Sequence, residues 1–248
     1  MSDEKKLTIL GHLEELRRRL LRSAVVVGVT TTICFFFTDK VIQILIRPAS
    51  GIELIYIRLT EMIATYVKVA LVAGIVLALP YLLYELVRFV SPALTRTEKR
   101  YFYALLPSSI LFFLAGAALC YFFFLPPALN FLLNFGSDIA TPLITIENYV
   151  SIVTMLLFWV GLSFEMPLVI FFLAGIGVVS PRALSRKRKW AVLGAFVLGA
   201  IITPTIDPVN QSIVAGTLVV LYEISIWLAK LAAWRRRKRP VPAAAAQE

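Results

Sequence analysis

The stretch YVSIVTMLLFWVGLSFEMPLVIFFLAGI, residues 149–176, holds 28 residues and a single formal charge, Glu165. A helix rises ~1.5 Å per residue, so this stretch outreaches the ~30 Å hydrocarbon core of a bilayer. Working outward, similar apolar runs occupy residues 21–37, 64–86 and 101–125 before it, and 190–202 and 209–229 after it. The run at 101–125 is expected to stop at Pro126-Pro127, because proline interrupts a helix. The last two runs are joined by Thr203-Pro204-Thr205-Ile206-Asp207-Pro208, a sharp turn. The expectation is an all-α integral membrane protein with six transmembrane helices. Residues 1–230 form one membrane domain, and residues 231–248 form a basic tail expected to be disordered.

Composition gives the same reading. Of 248 residues, 59% are apolar and 16% charged, and the mean hydropathy is +0.83. Soluble domains run at ~45–50% apolar and ~25% charged. A chain of this size has no interior large enough for the excess, so lipid is the remaining solvent. The run at 190–202 is short for a bilayer and must thin it or shelter against neighbours. Ala191, Ala195 and Gly199 recur on it every four residues, which permits close helix contact.

The net charge is +10. Lys and Arg number 6, 4, 5 and 6 in residues 1–22, 88–104, 176–190 and 230–248, against 3, 0 and 0 in residues 38–60, 127–148 and 203–208. That asymmetry predicts both termini in the cytoplasm and sets aside a nucleic-acid partner. The charged first 22 residues lack the form of a cleavable leader. Cys34, Cys120 and the single His12 are too few for a structural zinc site. The cysteines read as packing residues, and no cofactor or metal is expected. Residues 38–60 and 127–148 are long for plain connections and are expected to fold as caps over the outer face.

A few polar residues need an explanation. Leu10, Leu13, Leu16 and Leu20 mark an amphipathic helix leading into the first span. On it, Glu14 and Glu15 precede Arg18 and Arg19 by four residues, the spacing of intrahelical ion pairs. Thr95 and Glu98 fit a capping box before the third span. Glu165 is costly at mid-span and therefore a functional candidate, with Pro167 able to kink the helix beside it. Thr203, Thr205, Asp207 and Gln211 cluster at the outer hairpin, and Gln211 suits an interhelical hydrogen bond. No signature of a hydrolase, a metalloprotease or a nucleotide-binding loop is present. From composition alone, a receptor and a proton-coupled solute transporter with Glu165 as its relay stand close together.

The motifs separate them. His12-Leu13-Glu14-Glu15-Leu16-Arg17-Arg18-Arg19-Leu20 resembles the N-terminal signature of the TatC family, receptor subunits of the twin-arginine protein translocase. So do Phe89-Val90-Ser91-Pro92-Ala93-Leu94 with Glu98-Lys99-Arg100, Phe164-Glu165-Met166-Pro167, Arg47-Pro48, and Thr203-Pro204 with Asp207 and Gln211. The resemblance implies a glove-shaped, six-helix subunit in a bacterial-type inner membrane. Such a subunit works with TatA- and TatB-type single-span partners, and self-association is expected. It moves folded proteins that bear a twin-arginine signal peptide, using the protonmotive force, and is not an enzyme. It also implies a signal-peptide site at Glu15, Arg17, Phe89, Leu94 and Glu98. Glu165, Thr203 and Gln211 become intramembrane or partner-binding positions, and Pro48, Tyr121, Pro167 and Asp207 structural ones.

Overall fold

The computed structural model describes residues 9–49, 53–90, 96–134, 143–203 and 208–237, with side chains at all of these except 9, 10, 12, 90, 96–105, 133, 209 and 235–237. The chain runs α1 (Ile9–Phe35), α2 (Thr38–Ile46) with a 3-10 turn (Arg47–Ala49), α3 (Glu61–Val90), and α4 (Arg96–Leu119). A π turn (Cys120–Phe124) leads into α5 (Leu125–Asn134), followed by α6 (Ile146–Ser163) and α7 (Glu165–Ile176). Next come α8 (Pro181–Arg186), α9 (Arg188–Ile202) and α10 (Pro208–Arg237).

Among the described residues, four helical stretches are long and apolar enough to cross a membrane: Glu61–Phe89, Leu106–Leu132, Ile146–Ile176 and Asn210–Trp234. Leu13–Phe35 and Thr38–Ala49, bent by 74° at the break between them, meet the same test as a pair and make a fifth if they are one span. The one remaining expected span, 190–202, corresponds to α9, whose 15 residues give a helix of only ~22 Å. Leu20, Val25, Phe36, Leu111, Phe122 and Trp227 are exposed, an apolar exterior that suits lipid contact.

The helix from α4 does not end at Pro126-Pro127. It slips into the π turn, where the Leu125 N–H bonds to the Cys120 carbonyl, and resumes as α5 as far as Asn134. The two prolines then follow directly on the π turn, where the wider bond spacing has already interrupted the regular α-helical ladder. A second difference lies at the C-terminus. α10 continues through residues 231–237, and Ala232 packs in a buried cluster with Ala174 and Ala229. Small side chains on α7 and α10 let these helices approach closely, which extends the helix into the basic segment.

The core gathers around α6, with Tyr149, Val150, Val153, Leu156 and Val160 buried against α2, α3 and the π turn. Helix approach is closest where side chains vanish. Gly116 of α4 lies against the Phe164 ring, and Gly161 of α6 against the Phe113 ring. At the end of α7, Gly177 adopts φ 86°. Left-handed backbone is the usual glycine stop for a helix, and the Val178 N–H returns to the Leu173 carbonyl at 3.0 Å.

The two expected caps meet each other. Ile55 and Ile146 donate backbone N–H groups to Ile144 and Ile55 carbonyls at 3.1 and 2.8 Å. Within the first cap, the Glu61 carboxylate accepts the backbone N–H groups of Ile57 and Arg58 at 3.2 Å each, closing the turn into α3. α2 presents a further problem. The Ile44 carbonyl accepts the Arg47 N–H, but the residue four positions on is Pro48, which has no N–H to add the α-helical bond. Tyr121, carried outward by the π turn, donates its hydroxyl to the Ile44 oxygen at 2.9 Å. Tyr149 does the same for Leu45 at 3.1 Å. Pro48 and Tyr121 are therefore two halves of one device. Tyr121→Phe is expected to cost about 1 kcal/mol, the net worth of one hydrogen bond. It should speed cleavage of residues 38–60 by added protease, and an unchanged cleavage rate would count against the device.

Candidate functional site

α1 and α3 run side by side, and the end of this pair carries the first group of candidate residues. Glu15 and Arg19 face α3 from successive turns of α1. The Arg19 Nε donates to Glu15 Oε1 at 3.1 Å, and its Nη2 bonds the same oxygen. Its Nη1 reaches across to Glu85 Oε2 on α3 at 2.7 Å. The other Glu85 oxygen accepts the Tyr81 hydroxyl at 3.0 Å. The side chain of Glu85 is 5% exposed, that of Arg19 12% and that of Glu15 30%. A planar guanidinium is thus fixed between two carboxylates, an arrangement that a point-charge ammonium matches poorly.

The remaining members of this group sit around that centre. Arg17 is exposed on α1, and Glu14 makes an exposed pair with Arg18 at 3.9 Å. Phe89 is half-buried in the last turn of α3. Nearby, Arg88 stacks over the Tyr84 ring at 5.9 Å and donates to its hydroxyl at 2.9 Å. Leu94 lies outside the described residues. Glu98 falls in the first turn of α4, which begins at Arg96 directly after Thr95. That is the register a capping box requires. The Glu98 side chain itself lies outside those described.

Glu165 stands at the break between α6 and α7. Phe164 separates the two helices, Glu165 opens the second, and Pro167 takes its third position, where a missing N–H is harmless. The residue is 3% exposed, and neither carboxyl oxygen has a hydrogen-bond partner among the described residues. A groove of about 330 Å³ opens between α1, α2, α3, α4 and α6, lined by residues such as Val69, Val76, Ile110, Phe113 and Phe158. Thr154 is on its wall, with a buried hydroxyl that also has no hydrogen-bond partner among the described residues. Glu165 does not line this groove.

The hairpin residues tie α9 to α10. Thr203 is buried at the end of α9 and donates its hydroxyl to the Gly199 carbonyl at 2.7 Å. Gln211 Nε2 donates to the Phe196 carbonyl at 3.1 Å. Gly199 allows that approach, because a Cβ there would sit 3.2 Å from the Gln211 carbonyl oxygen. Asp207 lies outside the described residues. At the opposite end of the pair, Arg188 of α9 bonds Glu223 of α10 at 2.7 Å.

Residues 11–216 match the family model "Sec-independent protein translocase protein (TatC)". This chain belongs to the TatC family. A TatC of Aquifex aeolicus is 41% identical over 233 residues, covering 92% of this chain and 96% of that protein. A TatC of Carboxydothermus hydrogenoformans is 36% identical over 230 residues, covering 92% and 95%. The chloroplastic relative from Arabidopsis thaliana is 37% identical and is covered over 68% of its length. Among solved structures, a crystal structure of the twin-arginine translocase receptor TatC superposes with a TM-score of 0.75 at 41% identity. It covers 89% of this chain and 99% of that one. The all-helical membrane architecture is therefore that of the TatC family.

Within that frame, Glu85 is the site residue that sequence reasoning missed. The signal was present: an acidic residue closes an apolar run, one helical turn after a tyrosine. By the argument applied to Glu165, a charge in a span asks for a partner, and here the partner is Arg19.

Proposed function

We propose that this chain is the twin-arginine signal-peptide receptor and scaffold of a translocase that carries folded proteins across a membrane, driven by the protonmotive force and without enzymatic chemistry of its own. The observation that carries the proposal is the arginine fork seated against two carboxylates at the α1–α3 end. Those groups and that end of the bundle suit the recognition of further arginines. In this reading Glu15 and Glu98 each receive one signal arginine, and Arg17, Phe89 and Leu94 flank them. Both termini face the cytoplasm of a bacterial-type inner membrane. TatA- and TatB-type single-span partners dock near Thr203, Gln211 and Glu165, and copies of the chain self-associate.

Charge-assisted hydrogen bonds are worth ~1.5–3 kcal/mol each, enough to prefer twin arginine to twin lysine. A hydrophilic solute would find little in the groove, whose wall is apolar around Thr154 and Cys34. The test is binding of a labelled Arg-Arg signal peptide to the purified chain. Glu15→Gln and Glu98→Gln are each expected to weaken it about tenfold, the loss of one such bond. Equal affinity for Arg-Arg and Lys-Lys peptides, or no change in either variant, would defeat the assignment.

A further inference from the structure

Arg19 fills the place that an incoming guanidinium needs. Two donors on one edge of its fork, Nε and Nη2, serve Glu15, while Nη1 serves Glu85. The two carboxylates are not equivalent. Glu15 is the more exposed, on the helix that leads the chain, while Glu85 is buried and fixed from its other side by Tyr81. A guanidinium has five N–H donors in a rigid fork, so one edge can let go while the other holds. If the Glu15 edge lets go, Arg19 keeps a short, buried, charge-assisted bond to Glu85. Its charge is never stranded in a low dielectric, where an unpaired ion is costly.

We infer that Arg19 is an internal stand-in for a cargo arginine. It occupies Glu15 in the empty receptor and is retained by Glu85 when an incoming guanidinium takes Glu15. Glu85 is then a positioning residue that sets the affinity for cargo without touching it. The inference rests on the reading of Glu15 as a signal-binding residue.

The device makes an unusual prediction for three variants of the full-length chain in lipid nanodiscs, titrated with a labelled Arg-Arg peptide. Glu85→Gln leaves Arg19 dependent on Glu15 and should weaken peptide binding about tenfold. Arg19→Gln removes the competitor and should bind the peptide at least as tightly as the unsubstituted chain. Arg19→Gln/Glu85→Gln leaves nothing to retain, so its affinity should return to that of Arg19→Gln. A pair with a merely structural role predicts the opposite pattern, in which both single variants weaken binding and the double variant does no better than Glu85→Gln. That pattern overturns the inference, as does a Glu85→Gln affinity within about twofold of the unsubstituted chain. If Glu85→Gln fails to accumulate, Arg19→Gln alone decides, since weaker binding in that variant is incompatible with a competitor. Glu15→Gln and Glu98→Gln in the same assay separate the two readings. Unchanged binding in both removes the signal site and the stand-in together. Weakened binding in both, with Glu85→Gln unchanged, removes the stand-in alone.

Discussion

Gly74→Leu is expected to prevent the folded protein from accumulating. Gly74 of α3 is buried against α1, where a Cβ would sit 2.4 Å from Thr31 Oγ1 and 2.6 Å from the Thr31 Cα and N atoms. Two of those three atoms are backbone, so a rotamer change cannot relieve the clash. At the same contact, the hydroxyl of the preceding residue, Thr30, donates to the Gly74 carbonyl at 2.8 Å. The helices therefore touch backbone to backbone, and α1 cannot step aside without also pulling Arg19 away from Glu85. Overpacking a tight contact costs about 1–3 kcal/mol and more where backbone must move. Total stabilities lie near 5–15 kcal/mol, so a four-carbon side chain at this point is expected to exceed what the fold tolerates. Gly28→Leu is the control, because a Cβ there meets nothing within 4 Å. Membrane levels and thermal unfolding in detergent check the pair. Equal accumulation of the two variants would show that α1 and α3 do not meet at Gly74.

That contact also marks how far the sequence could be read. Apolar runs, charge blocks and the Glu165–Pro167 break all lie along one helix or loop, so periodicity and composition expose them. The small face of Ala191, Ala195 and Gly199 was legible for the same reason, and the structure buries Ala195 and Gly199 against α10. What crosses between helices was not legible. Ala70, Gly74 and Ala78 recur every four residues in their apolar run and all are buried, but that repeat does not name the helix it meets; the partner of Gly74 is Thr31, 43 positions earlier in the chain. Arg19 is satisfied by Glu15 within its own helix, which hides its reach to Glu85. Pro126-Pro127 misled because proline disfavours a helix interior without forbidding it, and Pro80 and Pro107 also lie inside α3 and α4. The π turn directly before them, with the Leu125 N–H bonded to the Cys120 carbonyl, is the local device that periodicity did not expose. Pro48 and Tyr121 were marked by resemblance alone, and their physical link appears only when the π turn brings the phenol to the end of α2.

Glu165→Met is expected to stabilise the protein while lowering transport. Methionine fills a similar volume and carries no formal charge or strong hydrogen-bonding group. The native carboxyl is buried, and both its oxygens lack partners among the described residues. A buried polar group left unpaired costs about 1–3 kcal/mol, and a buried unpaired charge costs more. Replacing it should therefore raise stability by about that amount, with Pro167 and the helix break unchanged. A residue kept only to hold the fold would behave in the opposite way, since its loss would destabilise. Transport should fall about tenfold if Glu165 receives a polar group from a partner helix, because one charge-assisted bond of ~1.5–3 kcal/mol is lost from the assembled state. Two measurements decide it: thermal unfolding of the purified chain, and export of a folded reporter with partner proteins present. A drop in stability would mean that the carboxyl is satisfied in the resting protein. A stabilised variant with full export would remove Glu165 from the transport machinery. Only the combination of a firmer fold and weaker export identifies a carboxyl held in reserve for a partner.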